Sequence, residues 1–167
     1  DSKSILTILL KSILHGIVDS RINMINADYI AKERGVLSSH SYKTEDVPFL
    51  NLIKCEIETE DGMLEISGSV FDENHIRVVN IMGFNIDLNP GGNMLFVINN
   101  DTPGVVGKIG SLLGKYKVNI ASYLLGRVDG SKNAYGVIKL DSALDDSILV
   151  DLKKFEEIVK LWQINVE

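Results

Sequence analysis

Across residues 93–167 the apolar positions switch between strand-like and helix-like spacing in the order strand, helix, strand, strand, helix, strand. "NMLFVINN" (93–100) is the first strand. "GVVGKIGSLLGKYK" (104–117) sets Val105, Ile109, Leu112, Leu113 and Tyr116 on one helical face. "NIASYLLGRV" and "AYGVIKLD" alternate on either side of the polar turn "DGSKN". "DDSILVDLKKF" opens on acids and ends on Lys153 and Lys154, as a helix dipole favours, and "EIVKLWQINV" closes the run. Such a βαββαβ order in so short a span predicts a ferredoxin-like layer, one antiparallel sheet covered by two helices.

The preceding residues read differently. Ile5, Ile8, Leu9, Ser12, Ile13 and Gly16 follow one helical face, and "NADYIAKERG" predicts a second helix, with Asn26 as its N-cap and Gly35 as its stop. A helix beginning almost at Asp1, with nothing ahead of it to pack on, suggests a piece of a longer chain. From Leu52 the period becomes two: strands over 52–59 and 63–71 flank Glu60-Asp61-Gly62, with Ile53, Cys55 and Ile57 expected to face a core. A second hairpin, "HIRVVNI" and "FNIDLN", turns at Met82-Gly83, and "NPGG" (89–92) then breaks the chain. The expectation is an α+β protein of two domains, residues 1–92 carrying helices and antiparallel hairpins, and residues 93–167 the ferredoxin-like unit.

Charge narrows the function. Residues 1–92 hold eight Lys and Arg against fourteen Asp and Glu, residues 93–167 nine against nine, and no basic cluster stands out, which disfavours nucleic acid as a partner. The run "ILTILLKSILHGIV" is too short for the ~20 residues of a spanning helix and is interrupted by Lys11 and His15. Cys55 is the sole cysteine, and His15, His40 and His75 are scattered, so neither a disulfide nor a zinc-ligand spacing is present. A cytosolic location is the expectation.

The stretch "NNDTPGVVGKIGSLLG" (99–114) invites a phosphate-loop reading and fails it. Gly107-Lys108 is preceded by Gly104 and followed by Ile109, so the spacing and the hydroxyl of a nucleotide-binding loop are missing, as is the G-x-G-x-x-G dinucleotide fingerprint. Gly104, Gly107, Gly110 and Gly114 instead mark a bare helix face suited to close approach of a sheet or a twin helix. The strand ends in Asn99 and Asp101, ahead of Pro103 and a helix whose first N–H groups are free. An α-carboxylate could sit on those groups while Asp101 accepts from an α-ammonium, with Asn119 expected at the same end of the sheet. Equally, Asn99 and Asp101 could simply cap the helix and turn.

These residues resemble a known family. "NNDTPGVVGKIGSLLGKYKVNIASYLLGR" is similar to an ACT domain, the small-molecule sensor of amino-acid metabolism, and specifically to that of D-3-phosphoglycerate dehydrogenase. "MINADYIAKERGV", "ISGSVF" and "RVVNIMGFNIDLNPGG" resemble the intervening domain of the long-form enzymes. The resemblance implies L-serine bound between two ACT units at Asn99, Asp101 and Asn119, feedback inhibition, and self-association edge to edge through the ACT sheets. It also implies a basic site for a phosphorylated substrate or phosphate at Arg77 and Lys139, where Asn89 stands in place of a further Arg.

No nucleophile, general base or cofactor cradle is evident, so no catalysis is expected of the fragment itself, and NAD belongs to the parent enzyme. The competing readings are an oligomerisation module without ligand, another ACT-type amino-acid sensor, or an L-serine dehydratase subunit. Against the last, an iron–sulfur centre would need clustered cysteines.

Overall fold

The computed structural model describes residues 2–18, 21–43, 49, 51–60, 62–72 and 75–166. The chain forms two compact units, Asp1–Asp46 and Val47–Glu167. The boundary read from sequence at 92/93 lies inside the second unit, because the hairpin ahead of it packs on the sheet that follows.

In the first unit, α1 (Ser2–Leu14) and α2 (Ala27–Glu33) bury Leu10, Leu14, Ala27 and Ala31 against one another, with Leu6, Val18, Ile22, Ile30 and Val36 around them. Asn26 stands at the N-cap position but does not cap. Its side chain instead accepts from the Asn23 N–H at 2.8 Å and donates to the Arg21 carbonyl at 2.9 Å, tightening the preceding turn. Gly35, at φ 74°, stops α2 as expected, letting the Val36 N–H reach back to the Ala31 carbonyl at 2.9 Å.

The second unit opens with an antiparallel meander, β1 (Leu52–Thr59), β2 (Gly62–Val70), β3 (Ile76–Ile81) and β4 (Phe84–Leu88), paired in sequence order. Met82 and Gly83, at φ 52° and 82°, make the two-residue turn of a tight hairpin between Ile81 and Phe84. Asp61 of the other expected turn lies outside the described residues.

Ile53, Cys55 and Ile57 do lie on one face with Ile66 and Leu64, but that face is not a core. Ile53 is 47% exposed and Ile66 44%. On the other face Lys54 bridges Glu56 at 2.8 Å and Glu65 at 2.9 Å.

The predicted βαββαβ order follows: β5 (Gly92–Asn100), α3 (Val105–Lys115), β6 (Ile120–Arg127), β7 (Asn133–Leu140), α4 (Asp146–Lys153) and β8 (Ile158–Val166). The strands form one antiparallel sheet in the order β6-β7-β5-β8, the ferredoxin-like arrangement. Leu95, Val97 and Ile138 meet Val105, Ile109 and Leu113 of α3 and Ile148 and Leu152 of α4 in a core on one face. The other face is also closed. Met94, Phe96, Ile98 and Val137 pack against Leu88 and against Val78, Ile81 and Ile86 of the meander, and Trp162 stacks on Phe96 at 5.5 Å between ring centroids. Burial on both faces explains why β5 reads as a near-continuous apolar run. Among the described residues no helix is long and apolar enough to cross a membrane.

Candidate functional site

The turn from β5 into α3 carries two of the three residues expected to meet an amino acid. Asn99 is buried, 3% exposed, at the end of β5. Its Nδ2 donates to the Asn100 carbonyl at 2.8 Å, which leaves Oδ1 as an acceptor without a partner. A buried carbonyl left so costs about 1–3 kcal/mol, an expense that a donor from outside the chain would remove.

Asp101 follows, its backbone N–H donating to the Lys132 carbonyl at 3.1 Å and its carboxylate gripped by the Arg127 guanidinium through Nε and Nη2. That contact holds the Asp101 carboxyl below the usual carboxylate range and pushes Arg127 above its own. Both groups are therefore charged near neutral pH.

The reading of Asn99 and Asp101 as helix caps does not hold. The N-cap of α3 is Gly104, at φ 92° and with no side-chain cap, and a helix start of this kind leaves its first N–H groups without partners in the helix. Lys108, one turn on, pairs its ammonium with Glu157.

Asn119 is not at this end of the sheet. β5 and β6 both run antiparallel to β7, so they are parallel to each other, and the start of β6 lies beside the start of β5. Asn119 therefore stands a whole strand away from Asp101, about 25 Å at ~3.3 Å per residue. There its Nδ2 donates to Asp141 Oδ2 at 2.7 Å. The expectation of a shared end overlooked that the α3 crossover carries the chain back to where β5 began. Within one chain the structure joins Asn99 and Asp101 and leaves Asn119 apart.

Sequence reasoning missed Arg127. It lies within the "GR" that supported the resemblance, yet only the pairing of β6 with β7 shows that it ends level with Ala134 and hence with Asn99.

The second expected site is built around the end of β4. Arg77 Nε pairs with Asp87 at 3.0 Å, and Lys139 Nζ donates to the Asn89 carbonyl at 3.1 Å. Asn89 uses its own side chain to accept from the Gly91 N–H at 3.2 Å. Both cations thus reach the segment 87–89, and each has a partner there within the chain.

Gly107, Gly110 and Gly114 lie along α3, where an added Cβ would meet nothing within 4 Å. Nor does the glycine face serve packing within this chain, as its spacing had suggested.

Residues 1–82 match the family described as the D-3-phosphoglycerate dehydrogenase intervening domain. The D-3-phosphoglycerate dehydrogenase of Bacillus subtilis is 31% identical over 158 residues, which cover 95% of this chain and 30% of that protein. The enzyme of the same name from Synechocystis sp. is 30% identical over 99% of this chain and 30% of its own length. A probable L-serine dehydratase beta chain from Bacillus subtilis is 29% identical over 87% of this chain and 66% of its own. The chain thus spans about 30% of the dehydrogenases it matches. Residues 1–82 thus match the family of D-3-phosphoglycerate dehydrogenase intervening domains, and over nearly its whole length the chain is similar to D-3-phosphoglycerate dehydrogenases.

Proposed function

We propose that the chain is the regulatory part of a cytosolic, NAD-dependent D-3-phosphoglycerate dehydrogenase, and that its ferredoxin-like unit is an ACT-type sensor for L-serine. The observation that carries this reading is the buried Asn99 carbonyl without a partner, two residues before the charged Asp101 and just ahead of an uncapped helix start. An α-ammonium satisfies the acceptors and an α-carboxylate satisfies the helix N–H groups.

The distance to Asn119 favours a site made by two copies. β6 is an edge strand, and antiparallel pairing of two β6 edges about a two-fold axis sets the start of one beside the end of the other. The partner's Asn119 then approaches Asp101. Serine binding regulates only insofar as it favours one packing of the paired sheets over another, and that bias is what the remainder of the enzyme, which binds NAD, would sense. Arg77 and Lys139 are assigned to a phosphorylated substrate or phosphate, which would draw Arg77 from Asp87 and Lys139 from the Asn89 carbonyl.

Titrating L-serine, glycine and 3-phosphoglycerate into the purified chain while following its mass tests the reading. Serine heat accompanied by dimers supports it. Dimers that take up no ligand point to a scaffold instead.

A second reading rests on the greater share of its own length that the serine dehydratase beta chain matches, 66% against 30%. Reading the coding region ahead of residue 1 separates the two. An in-frame G-x-G-x-x-G fingerprint belongs to the dehydrogenase.

A further inference from the structure

The serine reading gives the ammonium of the bound amino acid to Asp101 and its carboxylate to the start of α3, and leaves Arg127 without a part. The geometry gives it one. Arg127 holds Asp101 through the Nε and Nη2 edge of its guanidinium. A guanidinium carries five N–H donors in a planar fork, so the end-on edge formed by Nη1 and the outer hydrogen of Nη2 is still uncommitted. The side chain is 73% exposed, which leaves that edge open to an arriving anion.

Position adds to this. Arg127 closes β6 and Asp101 follows β5, two parallel strands with β7 between them, so the pair lies across the tip of the sheet. A lone carboxylate would take any amine, and a lone guanidinium any acid. In contact, the two present one negative and one positive group side by side, the complement of a molecule that carries an ammonium and a carboxylate on one carbon.

We propose that Arg127 receives the α-carboxylate of the bound amino acid through its free edge while Asp101 receives the α-ammonium, so that the site selects zwitterionic α-amino acids over amines and simple acids. This rests on the ACT-sensor reading and refines it by moving the α-carboxylate from the start of α3 to Arg127. Asp101 keeps its grip on Arg127 throughout, because each carboxylate oxygen has a second lone pair for the ammonium.

The test is calorimetry on the intact chain with L-serine and L-serinamide, which keeps the ammonium and lacks the carboxylate. The wild type is expected to prefer serine by about tenfold or more, the usual worth of a charge-assisted bidentate contact. In Arg127→Gln, serine is expected to fall to the level of serinamide while serinamide is unchanged, and Arg127→Lys, which keeps the charge, is expected to recover part of the preference. Equal weakening of both ligands in Arg127→Gln overturns the proposal, since Arg127 would then only orient Asp101, and so does undiminished serine affinity. Wild-type protein that takes up neither ligand overturns the serine reading itself. Circular dichroism confirms that the exposed substitutions leave the fold intact.

Discussion

Gly126 on β6 lies against the ring of Phe84 on β4: a Cβ built at Gly126 would fall 2.6 Å from Phe84 Cδ2 and nearer still to Cε2. Phe84 is buried, with Tyr135 6.4 Å away between ring centroids, so the ring has little room to retreat. Here the meander meets the edge strand of the ferredoxin-like sheet, and only a hydrogen fits between them.

Gly126→Ala is expected to destabilise the chain by about 1–3 kcal/mol, the usual cost of overpacking a core. Urea denaturation followed by circular dichroism measures it. The smaller side chain of Phe84→Leu, added to Gly126→Ala, should restore part of the loss. An unchanged midpoint in the single variant would mean the ring yields freely.

If serine sits between two copies, each site takes Asp101 from one and Asn119 from the other. Asp101→Ala and Asn119→Ala should each abolish binding when pure. Mixed and allowed to exchange, they form hybrid dimers with one site wholly native and the other doubly broken, so random pairing restores about a quarter of the wild-type sites. Calorimetric stoichiometry checks this, and no recovery on mixing, or an Asn119→Ala chain that binds serine as well as the wild type, would overturn the shared site.

Gly110 faces open space on α3 within the chain, where an alanine meets nothing and gains about 1 kcal/mol of helix propensity. Gly110→Ala should therefore raise the unfolding midpoint of the dilute, monomeric chain. If a twin helix packs on the glycine face, the same change weakens dimers, and sedimentation should show dissociation at higher concentration than in the wild type.

Tyr116, just past α3, donates to Asp151 Oδ2 at 2.5 Å, and Lys154 donates to Asp151 Oδ1 at 2.6 Å, tying the end of α3 to α4. These contacts, Lys154 foremost, hold the Asp151 carboxyl below its ordinary value. A carboxyl with a lowered folded-state pKa stabilises fully above its unfolded value of about 3.9 and loses that contribution as pH falls through the folded value. The tether should thus open only below about pH 4, seen as a shift of the Tyr116 ring resonances. In Asp151→Asn that acid transition should vanish.

The sequence alone determined whatever depends on neighbours along the chain. The βαββαβ order, the Met82-Gly83 turn and the stop of α2 at Gly35 were legible because periodicity and positive φ angles are local properties. Asn99 and Asp101 were legible as a pair for the same reason, being two residues apart at the end of one strand. Tertiary structure decided the rest. Asn119 looked like their neighbour until strand direction carried it to the opposite end, and Arg127 had no part in the reading until register set it against Asp101. The second covered face of the sheet, and with it the need for glycine at 126, depends on how one sheet lies upon another. Pairing and packing between distant segments have no signature in local spacing, so they became visible only once the chain was folded.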